Sequence, residues 1–474
     1  MTAELERQAA ACIFASFPGA EAPDWVRAWL GRGLGGIVLF ADNVADPARA
    51  AALTDSLRAE RPELVLAIDE EGGDVTRLEA ASGSSYPGNL ALGVVDDTEL
   101  TEGVAAALAA ELTGIGVTMN LAPVADVNSN PRNPVIGVRS FGSQPELVAR
   151  HVAAFVAGTQ RVGVAACAKH FPGHGDTAVD SHLELPTVEG DLQEALRPFR
   201  AAIEAGVECI MTGHLLVPEL DDAPATLSPR IVSGLLREEL GFDGLVLSDA
   251  LEMRAISGTI GLEEGALKAL EAGVDALCLG RVQGEDVVES VHEAVVEAVL
   301  SGRLSAVRVG AAAERISRAA QRAPEQVTPD RAIGVAAARR ALRVEGDVSL
   351  NSAPLVVELQ PEPSIAAGPG GHGLGAAFNR RLPGTDVIVL RDGSEPFDVP
   401  ESRVLVLVLR DAARNEWQQR VATALAPAVI VETGLPGWRS DAATAWIETN
   451  GAARVNLEAA AEVLAPNAVR PVAG

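Results

Sequence analysis

Lysine, aromatic residues and net positive charge are all scarce in this chain of 474 residues. Of 38 basic residues only Lys169 and Lys268 are lysines, so arginine serves nearly everywhere that a cation is needed. Lys169 therefore marks a place where a compact ammonium suits better than a planar fork. Aromatics make up 3 % against 48 % hydrophobic residues, which makes the core aliphatic. The formal net charge of -27 excludes nucleic acid and anionic membrane as partners, because the long-range field repels both polyanions. A small molecule suits this charge better. The opening stretch "MTAELERQAAACIFASFPG" has no basic start and only a short apolar run. It predicts neither a signal peptide nor a membrane span, and so a soluble, cytoplasmic chain. There are four cysteines, Cys12, Cys167, Cys209 and Cys278, far apart and each inside an apolar run. They read as buried free thiols.

What is present is a rhythm of short apolar runs: "ACIFASF", "GGIVLF", "LVLAID", "VTMNLAPVADV", "VAACAKHF", "CIMTGHLL", "LVLSDA" and "ALCLG". Stretches with helical spacing separate them, among them "DDTELTEGVAAALAAELTGIG" and "DLQEALRPFRAAIEAG", and glycine closes several. Strands that are apolar throughout, alternating with amphipathic helices, indicate a parallel sheet covered by helices. Eight such units within about 300 residues predict an α/β fold of the (β/α)8 TIM type over residues 1–325. Proline and charge then replace periodicity at "QRAPEQVTPDRA". Beyond it "APLVVELQ", "DVIVLRD", "RVLVLVLRD" and "AVIVETG" read as strands and "RNEWQQRVATALA" as a helix, predicting a smaller α/β layered domain over 326–474. The segment "GPGGHGLGAAF" reads as a loop without a phosphate-loop lysine, and "APNAVRPVAG" as a frayed tail.

In such barrels the loops at the carboxyl ends of the strands converge over one mouth. Asp69, Asp126, Lys169 and His170, His214, and Asp249 follow the third to seventh runs at that end. Four of seven histidines (His170, His174, His182, His214) fall in the fifth and sixth units, a clustering that strand-end polarity alone does not produce.

The stretch "AACAKHFPGHGDTAVDSHLELP" admits three chemistries. A metal site would use His174, Asp176, Asp180 and His182, but the usual rigid ligand pair on one helix or strand is missing. A phosphate cradle lacks the lysine-serine ending of a P-loop. Proton transfer would run through Asp180-Ser181-His182, the carboxylate accepting the ring N–H and fixing the tautomer. The same spacing also serves a loop histidine bonded to its neighbour for local order alone.

The motifs "AIDEEGGDVTRL", "GVRSFG", "KHFPGHGDTAVDSH", "MTGHLLVP" and "VLSDALEM", in this order within residues 5–320, resemble glycoside hydrolase family 3, in its bacterial β-N-acetylglucosaminidase branch. The resemblance implies Asp249 as nucleophile, His182 as acid/base and Asp180 as its dyad partner. It also implies that Asp69, Arg139, Lys169 and His170 hold the hydroxyls of the non-reducing sugar, with Arg77 a further site residue and His214 in a supporting place among them. No metal or other cofactor is implied; the implied partner is a small-molecule glycoside from cell wall or chitin. The C-terminal region resembles the family's second domain in type only.

Rivals remain open: a phosphorylase using the same site, substrate-assisted cleavage through Asp69-Glu70, a metal-dependent hydrolase on the same barrel, and a non-catalytic sugar-binding barrel. Several residues have plainer readings. Glu70 and Glu71 read as solvating the mouth or forming salt bridges, Asp126 as fixing loop N–H groups, Trp25 and Trp29 as helix packing, and Cys167 as a buried thiol sharing the facing of Lys169.

Overall fold

The computed structural model describes residues 2–181, 183–281, 284–320, 327–362, 365, 373–394, 403–441 and 443–467. Each of the eight apolar runs yields one strand: β1 (Ile13–Ala15), β2 (Gly36–Leu39), β3 (Val65–Ile68), β4 (Met119–Asn120), β5 (Ala165–Phe171), β6 (Cys209–Thr212), β7 (Leu245–Ser248) and β8 (Leu277–Cys278). They pair in parallel in the order β7-β6-β5-β4-β3-β2-β1-β8. A parallel bridge between Leu247 and Ala276 joins the two edges and closes the (β/α)8 barrel.

Both faces of these strands are buried, which is why they read as continuous apolar runs. Phe14, Val38, Val65, Met119, Cys167, Cys209, Leu247 and Cys278 fill the interior. Ile13, Ile37, Leu66, Ala166, Ile210 and Val246 face the surrounding helices. With few aromatics available, three thiols and the thioethers of Met119 and Met211 join the aliphatic side chains in the barrel. All four cysteines are free and buried, and burial pushes the Cys12 thiol up to about 12, far from the reactive thiolate range. Trp29 is buried edge-on to the His292 ring, and Trp25 packs against the same core, so both are packing residues.

The helix Ala306–Ala320 sends Ile316, Ala319 and Ala320 into the interior cluster. Its Arg308 and Arg315 bind Asp275, just before β8, at 2.9 and 3.3 Å. This plugs the amino-terminal end and leaves the carboxyl end as the mouth.

The second sheet contains β9 (Arg343–Glu345), β10 (Leu355–Leu359), β11 (Asp386–Leu390), β12 (Leu405–Leu409), β13 (Val429–Glu432) and β14 (Ala445–Glu448). Its order is β11-β10-β12-β13-β14-β9, parallel except for β9. The helix within "RNEWQQRVATALA" forms as Glu416–Leu425. One expectation fails: the second half of "GPGGHGLGAAF" is not a loop, because Leu374–Arg381 is helical from the N-cap Gly373 onward. The buried carboxylate of Glu358 on β10 receives the Gly375 N–H at 2.9 Å and anchors that helix start. The first half of the segment lies outside the described residues, as does most of the C-terminal tail.

The carboxyl ends of β12 and β13 meet the barrel at its mouth. Arg410, directly after β12, pairs with Asp74, whose other oxygen accepts the Ala452 N–H at 2.8 Å. Arg414 donates to the carbonyl of Asn133, and Arg454 pairs with Glu79 at 3.1 Å.

Candidate active site

Three consecutive acids leave the end of β3 and go three ways. Asp69 stays at the mouth, partly exposed, with Oδ1 2.5 Å from Lys169 Nζ and Oδ2 3.8 Å from the Arg77 guanidinium. Glu70 turns away and is buried; Oε2 accepts the backbone N–H of Arg77 at 2.7 Å and of Leu78 at 3.0 Å. Burial pushes its carboxyl up to about 7, and those two N–H groups resist the shift. Glu71 is also buried, with Oε1 and Oε2 forked on Arg139 at 2.8 and 3.0 Å and Oε1 2.8 Å from Lys169 Nζ. Burial alone would raise the Glu71 carboxyl, but Arg139 and Lys169 hold it well below the ordinary carboxylate range. Neither glutamate solvates the mouth, which settles the two readings offered for Glu71 in favour of the salt bridge.

Gly72 and Gly73 follow with φ of +75° and +65°, so the chain doubles back at once. A Cβ on Gly73 would stand 2.5 Å from Gly88 Cα, so only glycine permits this return, which carries Arg77 to Asp69.

Lys169 continues the inward alternation of Ala165 and Cys167 on β5, which is why a lysine lies inside the barrel. Between Lys169 and Phe171 the register against β6 shifts by one residue. This bulge breaks the alternation and sends His170 to a different partner, Asp126, whose Oδ2 lies 2.7 Å from Nδ1. The other oxygen of Asp126 accepts the backbone N–H of His174 at 2.6 Å. Asp126 therefore does fix loop N–H groups, as its position suggests, and orients a ring as well.

Arg139 comes from the 3-10 turn Gly137–Arg139 after β4. Asn89 Nδ2 holds its carbonyl at 2.7 Å, and Ser140 Oγ donates to the carbonyl of Asp126 at 2.6 Å, tying this turn to the His170 support.

His174 is buried and has a full set of partners. Thr177 Oγ1 donates to the His174 carbonyl at 3.0 Å, so it accepts from Nδ1–H at 2.6 Å. Nε2 is then the acceptor, taking the Ser181 hydroxyl proton at 3.1 Å. Burial lowers the ring to about 4, in keeping with a neutral tautomer. Asp176 accepts the N–H groups of Glu189 and Gly190 at 2.8 and 2.6 Å and so closes the base of the loop. These contacts take two members of the metal reading, His174 and Asp176, into the loop's own structure. Among the described residues no group of three or more His, Cys, Asp or Glu is placed to hold an ion.

His182 lies outside the described residues. Its neighbours Asp180 and Ser181 are described: the Asp180 carbonyl accepts from Leu183 and Glu184 at 2.9 and 3.0 Å, and Ser181 is held by His174.

Asp249 follows β7, half-buried, with its N–H on the Thr212 carbonyl at 3.0 Å and Oδ1 accepting the Ala250 N–H at 2.8 Å. His214 is fully buried between Thr226 Oγ1 at 2.9 Å and the Ala250 carbonyl at 3.0 Å. Through the Ala250 carbonyl it holds the backbone beside Asp249. Asp249, directly after β7, and Asp69, directly after β3, leave their strands at the same carboxyl end of the parallel barrel. The mouth thus joins Asp69, Arg77, Arg139, Lys169, His170 and Asp249. The sequence pattern passed over Glu71, Asn89 and His174 as site supports; the adjacency of Glu71 to Asp69 was the one signal that pointed to any of them.

Residues 18–319 match the family model described as "Glycosyl hydrolase family 3 N terminal domain". The chain is 40 % identical over 269 residues to Beta-hexosaminidase A of Pseudoalteromonas piscicida, covering 51 % of this chain and 45 % of that protein. It is 40 % identical over 249 residues to Beta-hexosaminidase of Methylococcus capsulatus, covering 51 % of this chain and 74 % of that one. So the chain spans under half the length of the first relative and about three quarters of the second. Among solved structures, the glycoside hydrolase family 3 β-N-acetylglucosaminidase of Paenibacillus sp. str. FPU-7 superposes with a TM-score of 0.84 at 33 % identity, over 98 % of this chain and 97 % of that one. With the family model matching well over half its length, the chain belongs to glycosyl hydrolase family 3.

Proposed function

We propose that the chain is a retaining β-N-acetylhexosaminidase that releases terminal β-linked N-acetylglucosamine from cell-wall or chitin-derived oligosaccharides. The observation that carries this reading is the ion-paired cluster of Asp69, Lys169, Glu71 and Arg139 at the carboxyl end of the barrel, the same end at which Asp249 follows β7. The named relatives and the Paenibacillus structure support the choice of sugar.

In this reading the cations and Asp69 hold the sugar's hydroxyls and fix its anomeric carbon against Asp249. Bidentate and charge-assisted bonds suit that task because they restrain orientation as well as position. Asp249 attacks the anomeric carbon as the bond to the leaving oxygen breaks, giving a glycosyl-enzyme. His182, oriented by Asp180, delivers the proton to that oxygen and then takes one from the incoming water. Substrate-assisted cleavage through Asp69 and Glu70 is disfavoured, because Glu70 is committed to the backbone of Arg77 and Leu78.

The test is hydrolysis of a chromogenic β-N-acetylglucosaminide beside the matching glucoside, with and without phosphate. The parent is expected to prefer the N-acetyl substrate, and its rate and product should be indifferent to phosphate. Asp249→Asn should lose about 10³-fold or more in kcat. A fluorinated sugar should label Asp249. His182→Ala should lose most activity toward poor leaving groups while keeping more toward activated ones, since an activated phenolate needs less protonation. A sugar phosphate as product would replace hydrolysis by phosphorolysis. Turnover with no covalent adduct and an active Asp249→Asn would overturn the mechanism.

A further inference from the structure

The mouth holds two cations, Lys169 and Arg139, whose end groups meet on one oxygen of Glu71. Both are buried, and burial alone would drive the lysine toward its neutral form; Asp69 and Glu71 reverse that and keep it charged above its ordinary range. Glu71 is the only one of these acids that touches both cations. One oxygen is shared between Lys169 Nζ and Arg139 Nη2 at 2.8 Å each, and the other takes Arg139 Nε at 3.0 Å. The Glu71 side chain is 3 % exposed, and its backbone N–H is fixed on the Val75 carbonyl at 3.1 Å, ahead of the two left-handed glycines.

Counting donors shows what this arrangement leaves for a ligand. An ammonium has three N–H groups and a guanidinium five. Lys169 spends one on Asp69 and one on Glu71; Arg139 spends two on Glu71 and one on the carbonyl of Val135. Among the described residues, one N–H of Lys169 and two of Arg139 have no protein partner. Glu71 thereby decides which edge of each cation is turned to a ligand.

We propose that Glu71 is the positioning residue of the sugar site: it touches no substrate, and it aims the remaining donors of Lys169 and Arg139 at the sugar's hydroxyls. This inference rests on the reading of the mouth as the N-acetylhexosamine site. Removing its charge frees both side chains to adopt other rotamers and leaves two buried cations repelling one another. Because the hydroxyls are held in the ground state as well as in the transition state, the loss falls mainly on KM.

The experiment is steady-state kinetics of the full chain on the chromogenic N-acetylglucosaminide for Glu71→Gln, Glu71→Asp, Arg139→Met and the double variant Glu71→Gln/Arg139→Met. Glu71→Gln is expected to lose about 100-fold in kcat/KM, mostly as a raised KM, and Glu71→Asp, which keeps the charge, about 10-fold. The double variant should fall less than about 5-fold below Arg139→Met, since Glu71 acts through the cations it holds. A kcat/KM for Glu71→Gln within about 3-fold of the parent, or losses that multiply fully in the double variant, would overturn the proposal. If Glu71→Gln does not fold, Glu71→Asp decides: parent-like KM refutes the proposal and a 10-fold rise sustains it. A parent that turns over no N-acetylhexosaminide brings down the functional reading first, and this inference with it.

Discussion

His174 shows how one side chain can hold a loop in a pH-dependent way. Its Nδ1–H is given to Thr177 and its Nε2 accepts from Ser181, an arrangement that only the neutral ring can make. The folded ring titrates at about 4 and the unfolded one at the ordinary 6.5, so below 6.5 the unfolded chain binds the extra proton. Stability from this residue is therefore complete above 6.5 and is lost as pH falls toward 4, by about 3 kcal/mol in all. His174→Gln should be less stable than the parent at pH 7, and the gap should shrink toward pH 4 in urea titrations; a gap independent of pH would refute the neutral-ring assignment. Glu70 has the opposite sign. Its folded carboxyl lies at about 7, above the ordinary 4.5, so the native state is fully favoured below 4.5 and is penalised as pH rises through 7. Glu70→Gln keeps an amide oxygen for the N–H groups of Arg77 and Leu78 and removes the buried charge. It should stabilise the chain by about 1–3 kcal/mol at pH 8 and by nothing at pH 4.5. A less stable variant at pH 8 would show that those two N–H bonds require the anion.

At the scale of elements, residues 174–177 are packed against the β4 loop backbone to backbone. A Cβ on Gly175 would stand 1.8 Å from the Val127 carbonyl oxygen, and Asn130 Nδ2 holds the carbonyl of Asp176 at 3.0 Å. Gly175→Ala must therefore push the loop away from residues 127–130, and the proposed acid/base segment moves with it. We expect kcat to fall by about 10²-fold or more, beyond what loss of folded protein explains, with far-ultraviolet circular dichroism unchanged. Parent-like turnover would mean that the seating of this loop does not matter to the chemistry. Which elements were legible follows from their surroundings. The eight barrel strands are buried on both faces, so hydrophobicity alone marks them, and the polar residues that end them stand out as Asp69, Lys169, His170 and Asp249 did. β9 is exposed along its length and β14 reads AWIE, with a single branched aliphatic residue, so neither shows as an apolar run. Glu71 was ambiguous because "DEEGG" looks the same whether its acids meet water or arginine; only the partner 68 residues later in sequence resolves it. The partner roles of Asn89 and His174 likewise depend on contacts that spacing does not encode.

For the whole molecule, the seam between the two sheets bears on the same β3 loop that carries Glu71. Asp74 is 6 % exposed at its side chain, pairs with Arg410 after β12, and accepts the Ala452 N–H beyond β14. Removing Arg410 leaves the Asp74 carboxylate without its cation; because Arg410 itself is 29 % exposed, the loss is about 1–3 kcal/mol, below that of a fully buried pair. Arg410→Ala should therefore destabilise the chain more than Arg420→Ala, whose guanidinium is exposed and 4.0 Å from Glu416. Because Asp74 lies three residues beyond Glu71, slack at the seam reaches Arg139 and Lys169 through one tight turn. Arg410→Ala is then expected to raise KM for the N-acetylglucosaminide several-fold at temperatures well below unfolding, and scanning calorimetry should split one transition into two as the sheets uncouple. A single transition lowered in temperature with unchanged KM would make the seam a matter of stability alone. The raised KM would instead show that the second sheet, whose strands end against the mouth, helps to hold the proposed sugar site in register.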